Sequence, residues 1–205
     1  MYTPTHFASA EAWPRLLERH GFGLLVTAAD DELWTTHLPY VVAGGGELLT
    51  LHMARANPHW QAIRSHPHCR FVVQGAHGYI SPAWYETRAA VPTWNYEAVH
   101  LDGVAELVFD EETLWEGLGA LALRFEEPEA REHWSLDDLS LEFRRPRLRN
   151  IVGVEFRVDA ARAKQKLSQN RSLGERRRVV QELRSRHQHE LASVMEALLP
   201  PEASD

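Results

Sequence analysis

The stretch "TLHMARANPHW", Thr50 to Trp60, ends an apolar, β-prone run in a histidine, an arginine and an Asn-Pro pair. Along a strand, Thr50, His52 and Ala54 point one way and Leu51 and Met53 the other, because side chains alternate. Arg55 then stands at the strand end, just ahead of a helix that Asn57 is placed to cap and Pro58 to start. A guanidinium beside the open N–H groups of a helix start is a good anion site and suits a phosphate in particular. Upstream, "WTTHLPY" can line the adjacent strand with hydroxyls and backbone groups. A second concentration lies in "HGYISPAWY" and "VPTWNYEAVH", where Tyr79, Trp84, Tyr85, Trp94 and Tyr96 are interleaved with His77, Ser81, Asn95 and His100. Adjacent strand residues face opposite ways, so Trp94 and Asn95 cannot both be core. Such a surface fits coverage by a planar ligand or a second subunit.

Other chemistries find little support. The pairs His66-x-His68 and His187-x-His189 do not make a helical i, i+4 set, and neither lies near a carboxylate at a metal-motif spacing, so no metal is expected. No G-x-S-x-G or Walker loop is present. Gly44-Gly45-Gly46 leads into a strand, not a helix, and reads as a hairpin turn rather than a phosphate cradle. Cys69 is the one cysteine, which excludes an internal disulfide; it reads as a small buried residue in a strand. Five arginines in "GERRRVVQELRSRHQHE" are diluted by Glu175, Glu182 and Glu190, as on a solvated helix face. The formal charge of -7 argues against unspecific binding to a phosphate backbone. No apolar run is long enough to span a bilayer and no leader stands at the N-terminus, so a soluble, cytoplasmic protein is expected.

These groups need a scaffold. "SAEAWPRLLERH" reads as a short helix from Ser9 to His20. Three β-prone runs follow between Gly23 and Met53, joined by short turns, and read as an antiparallel meander in which Pro39 belongs at an edge or bulge. "NPHWQAIRSHP" is a short helix. "HCRFVVQGAHGYISPAWY" is a strand kinked at Gly75 and Gly78, and "PTWNYEAVHLDGVAELVF" is another with a bulge expected near Asp102-Gly103. Helices are expected at Asp110–Phe125 and Asp137–Arg144, a last strand at "IVGVEFRVD", and one long helix from Gly174 to Leu199. The tail "PPEASD" reads as loose. Strands joined by short turns, with no βαβ alternation, close into a barrel with helices outside it.

Taken in order, "MYTPTHF", "THLPY", "LHMARANPHW", "GAHGYISPAWY", "VPTWNYEAVHLDG" and "KLSQNRS" resemble the PaiB-type FMN-binding transcriptional regulators. The likeness runs from Met1 to about Ser172. Leu51 stands where Gly is expected and His59 where a Gln-like residue is common. The resemblance implies a mainly β fold: a six-stranded antiparallel split β-barrel of the FMN-binding type over 1-172, with a C-terminal helix and tail over 173-205. It implies FMN as cofactor, in a groove between the subunits of a homodimer. Carried over by motif, Thr35, Thr36, His37 and Leu38 run along the isoalloxazine and ribityl chain. His52 and Met53 follow on the neighbouring strand. Arg55 and Asn57 hold the phosphate. Trp94 and Asn95 reach across from the other subunit, with Lys166 and Gln169 beside them.

Three functions stay open at this level. One is a regulator or flavin sensor, with DNA as a weakly supported partner. The second is a flavin-dependent oxidoreductase acting on a small molecule; the cofactor would bring its own redox chemistry, so no protein acid or base need be visible. The third is a haem-binding split barrel using His37 or His52.

Overall fold

The computed structural model describes residues 1–9, 12–87 and 89–201. Six strands, β1 (Phe22–Ala29), β2 (Glu32–Ala43), β3 (Leu48–Ala54), β4 (His68–Ile80), β5 (Thr93–Val108) and β6 (Ile151–Lys166), close into an antiparallel barrel in the order β1-β2-β3-β6-β5-β4. Seven α-helices accompany them among the described residues: α1 (Trp13–Arg19), α2 (His59–Ser65), α3 (Glu111–Phe125), α4 (Pro128–Arg131), α5 (Leu141–Leu148), α6 (Leu173–Ser185) and α7 (His189–Glu196). The expected mainly β, six-stranded architecture is therefore the observed one.

The chain forms two compact units. One comprises 14–73 and 100–161, the other 1–13, 74–99 and 162–205. β4, β5 and β6 each contribute residues to both.

In the first unit the meander forms as its alternation demands. β1 pairs with β2 from Phe22↔Pro39 to Ala29↔Glu32, and β2 then pairs with β3 from Tyr40↔Leu51 to Ala43↔Leu48. Pro39 is at neither an edge nor a bulge. It lies where β2 passes from one partner to the other, a point at which its missing N–H interrupts neither ladder. Gly44 to Gly46 make the turn into β3, all with positive φ, a region that glycine enters without a Cβ clash. The inner face carries Leu25, Leu38, Tyr40, Leu49, Leu51, Phe71, Val154 and Phe156, all at most 4% exposed. Tyr40 meets Phe71 edge-on with ring centres 5.3 Å apart. The expected bulge at Asp102-Gly103 is absent from β5, where burial alternates without a break from Asn95 to Ala105. Gly103 serves close approach instead: a Cβ there would lie 2.0 Å from the Arg157 carbonyl oxygen.

Helices cover this unit from outside. α3 starts at Asp110, whose carboxylate accepts from the Thr113 N–H at 2.9 Å. At its far end Arg124 donates to the carbonyls of Leu17 and His20, satisfying the C-terminal groups of α1. The helix expected from Asp137 divides into a 3-10 turn, Leu136–Asp138, and α5, because Ser140 caps the latter by accepting from the Phe143 N–H. The N-terminal helix runs from Trp13; residues 10 and 11 of the expected Ser9–His20 span lie outside the described residues, as do tail residues 202–205.

In the second unit, α6 and α7 enclose an apolar cluster with Ile80, Trp84, Leu167, Val179, Leu183, Leu191 and Met195. The single long helix expected here is two. α6 begins in a capping box, with Ser172 accepting from the Glu175 N–H and the Glu175 carboxylate accepting from the Ser172 N–H. It ends where His187 turns left-handed at φ 60°. The Gln188 N–H reaches the Leu183 carbonyl and the His187 N–H that of Arg184, the paired bonds of a Schellman motif. No glycine or proline advertises this stop, so a pattern of apolar positions running through it looks continuous.

A left-handed residue other than glycine is strained. His187→Val is expected to lower stability by about 1 kcal/mol, while His187→Gly holds or raises it. Urea unfolding midpoints of the two variants against the parent chain test this.

Candidate functional site

The corner between β3 and α2 holds the features that sequence spacing singled out. Arg55 is exposed at the end of β3. Its backbone N–H donates to the Asn150 carbonyl at 2.7 Å, its Nε to the Arg149 carbonyl at 2.7 Å and its Nη2 to the Ile151 carbonyl at 3.4 Å. The guanidinium lies over the Phe109 ring at 5.2 Å, and Trp60 meets Phe109 edge-on while its Nε1 donates to the Arg55 carbonyl. The corner is thus held by backbone carbonyls and two aromatic rings, and the Nη1 side of a fixed cation remains for an anion. α2 has only seven residues, so the positive charge here comes mainly from Arg55.

α2 starts at His59 with Pro58 at its N-cap, one residue later than expected, so Asn57 stands just before the cap, where its Oδ1 still accepts from the His59 N–H at 3.0 Å. Its Nδ2 donates to Thr36 Oγ1 at 3.1 Å, tying the helix start to β2. Thr36 Oγ1 lies 2.7 Å from His59 Nδ1, and His59 Nε2 lies 2.9 Å from Thr27 Oγ1. Thr27 Oγ1 is 3.1 Å from Cys69 Sγ, and the thiol points to the His66 carbonyl at 3.9 Å. His59 is 1% exposed and Thr27 is fully buried. Burial holds the His59 imidazole down at about 4, so it is neutral at pH 7, and burial pushes the Cys69 thiol up. The sequence marked His59 only as a departure from a family pattern; its two threonine partners are 32 and 23 residues away, and no local spacing announces them.

The remaining predicted residues separate by strand face. Thr35 and His37 are exposed on the outer face of β2, with His37 stacked on Phe22 at 5.9 Å. Leu38 and Met53 turn into the core, 4% and 2% exposed, so they can offer a ligand little beyond backbone groups. His52 lies on the opposite face of β3 from Met53, beside a cleft of about 20 Å³ lined also by Thr50, Thr113, Gly117 and Gly153. Burial lowers its pKa.

Trp94, Asn95, Lys166 and Gln169 belong to the other unit. Trp94 is 54% exposed, stacked by His77 and met edge-on by Tyr79, each with ring centres 6.4 Å away. Lys166 supports that tryptophan from behind, its ammonium donating to the Trp94 carbonyl at 2.7 Å and to the Thr93 hydroxyl. Asn95 faces the opposite way. It is 1% exposed and donates to Ser168 Oγ at 2.9 Å within its own core. Gln169 closes a turn, accepting from the Leu167 N–H and donating to the Gln165 carbonyl. Asn95 and Gln169 therefore serve their own unit, and Trp94 is the residue presented outward. The described residues contain no cluster of metal-ligating side chains. A groove of about 390 Å³ between α3 and the α4 segment, with Trp115 and Trp134 in its walls, contains none of the predicted residues.

The fold is a closed six-stranded antiparallel barrel with a cationic corner and an open polar strand beside it. Two solved structures share the fold: the flavocytochrome Anf3 of Azotobacter vinelandii (TM-score 0.61, 17% identity, 78% of this chain and 69% of that one) and an FAD and heme binding protein of Mycobacterium smegmatis (TM-score 0.59, 17% identity, 78% and 72%). Residues 1–160 match the family model described as "Putative FMN-binding domain". The "Protease synthase and sporulation protein PAI 2" of Bacillus subtilis is 33% identical over 190 residues, 90% of each chain. The chain belongs to this PaiB-type FMN-binding family.

The buried imidazole sets a pH dependence. Unfolded, His59 takes a proton below about pH 6.5; folded, it resists until about pH 4. Between those values the unfolded state binds more protons, so stability is complete above pH 6.5 and falls as pH drops towards 4, by roughly 3 kcal/mol in all. Denaturant midpoints from pH 7 to 4.5 are expected to show this fall, and His59→Gln, though less stable at pH 7, is expected to flatten it.

Proposed function

We propose that the chain is a homodimeric FMN-binding protein that acts as a regulator or flavin-responsive sensor of the PaiB type, in the cytoplasm. The observation that carries the site assignment is Arg55: an exposed guanidinium, fixed by two backbone carbonyls and one ring, at the end of the strand next to the open polar row of Thr35 and His37. A phosphate dianion needs a charge-assisted donor with little freedom left to lose, and this one is already positioned. Thr35, Thr36 and His37 supply hydroxyl, imidazole and backbone groups for the rest of the cofactor, which brings the redox chemistry. Trp94, with His77 and Tyr79, is the aromatic surface best suited to pack against a second copy of the chain.

The sporulation in the printed name of the Bacillus relative is a developmental programme, which supports a regulatory reading. Direct DNA contact through α6 is not what its side chains favour. Arg178 lies against Glu86 at 3.5 Å, Arg184 and Arg186 pair with Glu196 and Glu182, and Arg176 donates to the Leu198 carbonyl. Those cations are engaged at home, and the net charge is -7.

Protein purified with its native cofactor is expected to show a flavin spectrum and release FMN on denaturation. Arg55→Ala is expected to weaken FMN binding about 10- to 100-fold, the loss of about 1.5–3 kcal/mol for a hydrogen bond to a charged group. Unchanged flavin occupancy in that variant removes Arg55 from the phosphate site. Light scattering is expected to give twice the chain mass. Sustained oxidation of a nicotinamide cofactor by the flavin would favour the oxidoreductase reading, and a salt-dependent shift of a defined DNA fragment would favour direct DNA binding.

A further inference from the structure

Five side chains join the candidate site to the interior of the barrel: Asn57, Thr36, His59, Thr27 and Cys69, with successive separations of 3.1, 2.7, 2.9 and 3.1 Å. A neutral imidazole has one N–H and one acceptor nitrogen, and each hydroxyl has one hydrogen to give. These counts allow two orders of donation along the chain. In the first, Asn57 donates to Thr36, Thr36 to His59 Nδ1, His59 Nε2–H to Thr27, Thr27 to the Cys69 sulfur, and the thiol to the His66 carbonyl. In the second, His59 carries its proton on Nδ1 and donates to Thr36, Thr27 donates to Nε2, and the thiol donates back to Thr27. Thr36 then accepts from both Asn57 and His59, and its own hydrogen is left for an acceptor outside these five side chains.

The two ends are coupled through the imidazole. The first order keeps every hydrogen on a protein acceptor. The second frees the His66 carbonyl from the thiol and needs an acceptor at Thr36 that does not belong to the chain. A ligand oxygen or nitrogen at Thr36 supplies it. We propose that this chain reverses as a unit: a hydrogen-bond acceptor arriving at Thr36 changes the tautomer of His59 and moves the Cys69 thiol from the His66 carbonyl to Thr27. The proton count is unchanged. In a transient opening that lets solvent reach the ring, Nε2 loses its proton to water and Nδ1 gains one from water, so one N–H bond breaks and one forms, while the hydroxyl and thiol hydrogens only rotate. His59 is thereby a positioning residue for the site, reporting occupancy at its edge to a buried thiol. A neutral imidazole and a protonated thiol, both kept so by burial, are the states that the chain requires.

This inference rests on the reading of the corner as an FMN site, and the experiment separates the two. FMN binding is followed by quenching of flavin fluorescence. The His59 tautomer is followed by long-range 1H–15N correlation in histidine-labelled protein, its signals assigned by their loss in His59→Gln. The thiol is followed by its S–H infrared band, which Cys69 alone contributes. Expected are the Nε2–H tautomer without ligand, the Nδ1–H tautomer with FMN bound, and a shift of the S–H band on binding. Thr27→Ser is expected to keep the coupling. Thr27→Val is expected to bind FMN with the S–H band unresponsive. Bound FMN with His59 unchanged in tautomer overturns the inference and leaves the FMN site standing. Failure of FMN to bind overturns that site and the inference with it.

Discussion

Inside a closed barrel a polar side chain has only other protein groups to bond, and an unpaired one costs on the order of 1–3 kcal/mol. His59 is the point where this constraint shapes the molecule. Its ring is buried and stacked on Trp34, and both nitrogens meet threonine hydroxyls, one from β1 and one from β2. That arrangement requires α2 to lie against those two strands with its first turn facing inward, and it fixes Asn57 and therefore the corner that begins at Arg55. A leucine of similar size would fill the space without setting any of these directions.

From that pin the site follows as a division between two faces of a strand. Residues turned inward on β2 and β3, Leu38 and Met53 among them, hold the barrel. Those turned outward, Thr35 and His37, stand open beside a guanidinium whose freedom has already been removed. The same division recurs on β5, where Trp94 is displayed while Asn95 is buried. In each case period-two alternation puts support and presentation on adjacent residues. Charge is divided in a comparable way: Arg176, Arg178 and Arg184 of α6 are turned to carboxylates and a carbonyl of their own unit, whereas Arg55 is restrained by neutral groups.

The strands were legible because alternation is a local signal, and so was the α2 corner, because Asn-Pro carries its own capping chemistry. The long terminal helix was misread for a related reason. A histidine in the left-handed region leaves no compositional trace, and the apolar stripe of α6 and α7 spans the break without interruption. The bulge expected at Asp102-Gly103 followed from glycine as a marker of irregular backbone, whereas Gly103 is there to let β6 come close. Lys166 and Gln169 also bond within their own unit, Lys166 to Thr93 and the Trp94 carbonyl and Gln169 to the backbone of Leu167 and Gln165.

The sequence by itself determined the antiparallel barrel, the cationic corner and the family, since each depends on residue type and spacing over a few positions. Tertiary structure alone decided which polar residues face a ligand and which face one another. Thr27, Thr36, His59 and Cys69 are unremarkable where they stand in the chain. They become one hydrogen-bonded line only when barrel closure brings three strands and a helix to the same few ångströms, because hydrogen bonding depends on distance in space and not on separation in sequence.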